Sequence, residues 1–160
     1  NRVVLAPGQA LYQGSRILHA YLSGVGVELM ANSDNVLRGG LTSKHVDVAE
    51  LLRVLDFTPR TPPVLHGVDD GGWERYDTDV AEFLLRRLEG APEGTPVAVP
   101  AGGPRILLCT RGSALVSAAE QEQLLGRGQA LWLSADDRDV TVAPQEAGTQ
   151  LFLAGDGLDV

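Results

Sequence analysis

Apolar and polar positions alternate over short stretches along most of this chain, and glycine or proline interrupts them at close intervals. Residues 2–5 read as a strand, residues 6–9 as a turn and residues 10–12 as a second short strand, with another turn at 14–16. Residues 17–22 predict a third strand. Side chains alternate faces along a strand, so Ile17, His19 and Tyr21 share one side. Gly24 and Gly26 break the run, and residues 27–31 predict a fourth strand with Glu28 and Met30 facing away from Val27, Leu29 and Ala31. Over residues 46–55 the apolar spacing lengthens to that of a helix of about two to three turns. Residues 57–63, which contain Pro59, Pro62 and Pro63, read as a linker.

Beyond the linker, Asp69, Asp70, Gly71 and Gly72 form a polar turn ahead of Trp73. Residues 81–88 fit a helix or a strand, and their turn-rich surroundings favour a strand. Strands are predicted at 97–99 and 105–109, from 112 to 116, and over 128–133, 140–142 and 150–153. Short strands joined by Gly/Pro turns point to an antiparallel barrel. The pattern therefore predicts a mainly all-β fold of two β units with one short helix between them. The units share an echo: Gly8-Gln9-Ala10-Leu11-Tyr12 recurs as Gly128-Gln129-Ala130-Leu131-Trp132, with Leu5 and Leu125 each three positions before the glycine. Aligned on these glycines, Asp139 stands opposite His19, so a duplicated barrel would have lost the histidine in its second copy.

Composition narrows the functional classes. Hydrophobic residues make up 44% of the 160, enough for a core, but aromatics only 5%, so aliphatic side chains must carry the packing. The net charge of −8 argues against general binding to nucleic acid or to anionic membranes. An anionic substrate would need a local group of cations set against that overall field. The one cysteine, Cys109, excludes an internal disulfide, fits a cytoplasmic location and lies in an apolar run where burial is the simplest reading. No stretch reaches the ~20 apolar residues of a membrane span.

The densest chemistry lies between His19 and Lys44, the chain's only lysine. His19-Ala20-Tyr21-Leu22 is followed by Glu28-Leu29-Met30-Ala31, then Ser33-Asp34-Asn35-Val36-Leu37-Arg38, then Gly40-Leu41-Thr42 and Lys44. In blocks and spacing this stretch resembles the signature of type I mannose-6-phosphate isomerases, zinc enzymes of the cupin superfamily. Ser43 stands where that family usually carries proline. The resemblance is tight over residues 8–52 and looser beyond. It implies a cupin-like antiparallel β-barrel or jelly-roll, and an activity interconverting mannose 6-phosphate and fructose 6-phosphate through an enediolate.

The resemblance also assigns roles. His19 matches one of the family's zinc ligands, whereas a lone strand histidine is by pattern alone more often a core residue. The family's other ligands, a Gln-x-His pair and a glutamate, come from its upstream half. The chain is thus expected to hold one ligand of four, and tight Zn2+ binding by these residues alone is not expected. Arg38 matches the arginine that supports charge developing on the reacting carbons, a task suited to a fixed, permanently charged fork; its ordinary alternative is a surface ion pair. Tyr21 and Glu28 match positions lining the sugar pocket, although a structural tyrosine fits the spacing too. Asp34 is spaced to orient Arg38 through a bidentate pair, or to form an Asx turn with Asn35. Lys44 is a candidate contact for the substrate phosphate, with a solvated lysine as its alternative. His45 and His66 read as surface residues.

Because the chain starts at Asn1 and runs straight into a strand-like stretch, it reads as the C-terminal portion of a longer protein. On that reading residues 1–57 are the later part of a catalytic cupin barrel with a short helix, 58–63 a linker, and 64–160 a C-terminal cupin-like β domain without a metal site. The partner is a small sugar phosphate, and exposed strand edges leave self-association open. Two rival readings remain: a non-catalytic sugar-phosphate-binding or structural cupin fragment, and an isomerase acting on another hexose phosphate such as glucose 6-phosphate.

Overall fold

A computed structural model describes residues 1–33 and 35–158. The chain divides into two compact units, Asn1–Leu65 and His66–Val160. In the first, strand β1 (Gln9–Leu11) and helix α1 (Val48–Val54) precede β2 (Val64–His66), which pairs with β1 in a two-stranded sheet. Asp47 caps the helix: its Oδ1 accepts from the Glu50 N–H at 3.0 Å, satisfying one of the donors a helix N-terminus leaves free. The helix is shorter than the 46–55 the pattern predicts, because Asp47 and Leu55 are caps in extended conformation.

The other strands expected in this unit are corrected by the structure: residues 2–5, 17–22 and 27–31 are not strands. Alternation supplies a face, but a strand also needs a neighbour about 4.8 Å away to take its backbone N–H and C=O groups. Among the described residues of this unit only β1 finds such a neighbour, in β2. None of the unit's described residues is buried, and Tyr21, Leu22, Val25 and Leu41 face solvent.

The second unit carries the core. Its ten strands are β3 (Val68–Asp70), β4 (Trp73–Tyr76), β5 (Leu84–Glu89), β6 (Val97–Ala98), β7 (Arg105–Arg111), β8 (Ser113–Ala118), β9 (Gln121–Gly126), β10 (Ala130–Leu133), β11 (Thr141–Pro144) and β12 (Gln150–Gly155). They form a six-stranded sheet in the order β10-β7-β12-β5-β4-β3 and a four-stranded sheet in the order β6-β11-β8-β9, with antiparallel pairings throughout. Alternation decides which residues meet between the sheets. Leu107 and Cys109 of β7, and Leu151 and Leu153 of β12, point inward from one sheet; Ala114, Val116 and Val142 do so from the other, in one continuous cluster with Trp73, Leu88 and Leu125. Cys109 is buried and unpaired, and burial pushes its thiol pKa up. The mainly β, antiparallel fold expected from the pattern is what forms.

Two local features follow from the sequence. The ambiguous stretch at 81–88 is a strand, β5, and its register sets Arg87 directly opposite Glu74, whose Oε2 accepts from the guanidinium at 2.6 and 2.9 Å. Buried Arg105 opens β7; among the described residues its guanidinium forms no ion pair and instead donates to the carbonyls of Pro100, Gly103, Ser134 and Asp137. The sequence echo is realised as one turn built twice. Gly8 and Gly128 stand at φ 85° and 81°. In each turn the following glutamine donates its N–H three residues back at 3.0 Å, and its Oε1 accepts that residue's N–H at 2.8 Å: Gln9 with Ala6, Gln129 with Gly126. Strands β2, β3, β4 and β9 went unrecognised in the sequence pattern.

Candidate active site

Residues 17–22 form no strand, yet His19 and Tyr21 come together. Their rings meet edge to face with centroids 6.0 Å apart. His19 Nδ1 lies 3.1 Å from the Ile17 carbonyl oxygen; an Nδ1–H donated there leaves the Nε2 lone pair free to act. Gly24, at φ 120°, lets the chain reverse, and seven residues after Tyr21 the chain delivers Glu28 back to it. The Tyr21 hydroxyl donates to Glu28 Oε1 at 2.7 Å. This hydrogen bond, with lesser help from desolvation and from the carboxylate's charge, pushes the phenol pKa up to about 12. Tyr21 is therefore held as a neutral donor and Glu28 as its acceptor.

The loop that follows carries the cations. Arg38 is exposed, and its guanidinium has no hydrogen-bond or ion-pair partner among the described residues. Asp34, its expected partner, lies outside the described residues. Gly39 sets the loop against the 17–22 stretch: a Cβ there would run into the Leu18 side chain. Lys44 is exposed, and its backbone N–H donates to Thr42 Oγ1 at 3.1 Å in a small side-chain turn. The structure thus joins His19, Tyr21 and Glu28 directly. Among the described residues, no hydrogen bond or ion pair joins the Arg38 or Lys44 side chain to these three.

No group of three or more His, Cys, Asp or Glu side chains able to hold a metal ion occurs among the described residues. His45 and His66 are exposed, and neither joins His19. The second unit has an open cavity of about 420 Å³ lined by Ala101, Gly102, Gly103, Ala135 and Arg138, which contains none of the six candidate residues. No helix among the described residues is long and apolar enough to cross a membrane. One residue that motif reading passed over is Arg16, which holds a left-handed backbone conformation just ahead of His19.

No family model matches the chain. Curated proteins do. The chain is 34% identical to the mannose-6-phosphate isomerase of Salmonella typhimurium over 157 residues, which cover 89% of this chain and 37% of that protein. It is 36% identical to mannose-6-phosphate isomerase 2 of Arabidopsis thaliana over 157 residues, 97% of this chain and 35% of that protein. The crystal structure of the Salmonella typhimurium enzyme bound to its substrate fructose 6-phosphate and to zinc superposes with a TM-score of 0.66 at 28% identity, covering 81% of this chain and 32% of that one. The chain is a homologue of part of the mannose-6-phosphate isomerases. It spans little more than a third of the length of these relatives. The motif from His19 to Lys44 and the antiparallel β architecture are thus features of a shared ancestry with these isomerases.

Proposed function

We propose that the chain is the C-terminal portion of a cytoplasmic, zinc-dependent aldose–ketose isomerase that interconverts mannose 6-phosphate and fructose 6-phosphate. The observation that carries this reading is the joined set His19, Tyr21 and Glu28, followed by a loop bearing an exposed Arg38. Such a reaction moves a proton between C1 and C2 and must stabilise the enediolate between them. The Arg38 guanidinium, always charged and free of an internal carboxylate among the described residues, supports that charge. Tyr21 and Glu28 offer a donor and an acceptor for sugar hydroxyls, Asp34 orients Arg38, and Lys44 takes the phosphate as a point charge. His19 supplies one imidazole for zinc, and the other ligands come from outside these 160 residues. Residues 1–57 then belong to the catalytic barrel, and 64–160, beyond a linker at 58–63, form a β domain without a metal site.

A coupled assay with mannose 6-phosphate and added zinc, run on the chain and on the full-length protein, tests this. Activity in the full-length protein and none in the chain is the expected result. Activity in the 160 residues alone means that the site is complete within them and that the ligand count is wrong. Silence from both overturns the isomerase reading and leaves a sugar-phosphate-binding or structural module in its place. If glucose 6-phosphate is turned over in preference, the reaction type stands and the substrate assignment falls.

A further inference from the structure

Arg16 stands at φ 68°, in the left-handed region that a residue with a Cβ rarely occupies unless its surroundings hold it there. Those surroundings are the last turn of α1. The Arg16 Nε–H donates to the Val54 carbonyl at 2.7 Å, and the Asp56 N–H donates to the Arg16 carbonyl at 3.0 Å. Val54 is the last helical residue, and its carbonyl is one of those that a helix C-terminus leaves without an internal donor. It also lies at the negative end of the helix dipole, where a guanidinium is favoured. One residue therefore both gives a hydrogen bond to the end of this helix and takes one from the chain leaving it. Three positions after Arg16 comes His19; at the other end of the helix the cap, Asp47, is three positions after Lys44.

We propose that Arg16 is a positioning residue. By tying the end of α1 to the backbone just ahead of His19, it fixes the His19–Tyr21–Glu28 set relative to the turn that carries Lys44. It thereby sets the distance between the groups that receive the sugar and the cation that receives the phosphate. The substrate half of this inference rests on the isomerase reading; the coupling between the two segments does not.

Two variants separate positioning from mere stability. Arg16→Asn keeps a residue that tolerates the left-handed conformation and removes the guanidinium, whereas Arg16→Lys keeps a cation. In the full-length protein Arg16→Asn is expected to raise KM for mannose 6-phosphate about three- to tenfold, the scale of one lost hydrogen bond, with kcat within about twofold. Arg16→Lys should recover part of the loss. In the 160-residue chain, NMR order parameters at Leu55, Asp56 and residues 42–44 should fall from about 0.85 toward about 0.6 in Arg16→Asn, while those of β7 and β12 hold. A fall in kcat at unchanged KM, as from a smaller folded fraction, would overturn the positioning role. So would order parameters at 42–44 that ignore the substitution. If the unsubstituted full-length protein has no isomerase activity, the substrate half falls with that reading, and the order parameters still decide the coupling.

Discussion

Tyr21 is exposed, yet its phenol pKa is pushed up to about 12, chiefly by its hydrogen bond to Glu28. Its hydroxyl holds its proton because Glu28 accepts it, so deprotonation would place two negative charges 2.7 Å apart. The sign follows directly. The pKa is raised in the folded state, so the contribution of the hydrogen bond is complete below the phenol's ordinary pKa of 10.0. It is lost as pH climbs through about 12. Solvent screening keeps its weight in global stability small, and the titration itself is the useful observable. Ring-carbon NMR from neutral pH upward should show Tyr21 titrating near 12, and Glu28→Gln should bring it back toward 10.0. A Tyr21 that titrates at its ordinary value in the unsubstituted chain would mean that the pair does not form in solution. At this scale the sequence told part of the story. The spacing of His19 and Tyr21 suggested that they lie together, and their rings do meet, although the strand expected to align them does not form. Nothing in residue type announces the clamp by Arg16, because an arginine in a left-handed turn leaves no pattern; a mobile surface arginine and one bonded to a helix end look alike in sequence.

At the scale of elements, what was legible depended on whether an element makes its own case locally. The turn at Gly128 does, because a glycine is needed where φ is 81° and the glutamine after it closes the turn on Gly126. The same words at Gly8 give the same turn, which is why the echo was visible in the letters. Gly128 has open space around the position a Cβ would take, so a substitution there is penalised by backbone conformation alone. Gly128→Ala is expected to cost about 1–2 kcal/mol, and Gly128→Asn less, since asparagine tolerates the left-handed region. Urea midpoints would show this as ordered shifts at constant slope. Equal losses for alanine and asparagine would mean that something other than φ is at stake. Helix α1 was equally legible from its apolar spacing, whereas its cap at Asp47 was not. Strands are different. β5 was ambiguous until its register paired Arg87 with Glu74, and β9 opens on Gln-Glu-Gln, with four exposed residues and Leu124 and Leu125 adjacent, so it carried no alternating signal. Residues 17–22 show the reverse error: a clear alternating pattern without a partner to hydrogen-bond.

Across the whole molecule, apolar residues divide into two populations that the sequence pattern could not tell apart. Leu151 and Leu22 are both leucines in apolar runs, but Leu151 is 0% exposed between β5 and β7, and Leu22 is 80% exposed. Hydrophobic stabilisation scales with area removed from water, so only the first should matter to the stability of the chain. Leu151→Ala leaves a cavity between two sheets that pack as one cluster, and is expected to cost about 2–5 kcal/mol. Leu22→Ala should stay within about 0.5 kcal/mol. The comparison also reads the state of the first unit in solution. Tyr21, Leu22, Val25, Met30 and Leu41 are exposed within one short stretch, and exposed apolar surface of that kind is met by association when a partner is at hand. If Leu22→Ala lowers the unfolding midpoint of the chain as Leu151→Ala does, that surface is covered in solution by another copy, and the effect should fade on dilution as association is lost by mass action. If Leu22→Ala is neutral at every protein concentration, the surface around Leu22 stands open in the chain by itself.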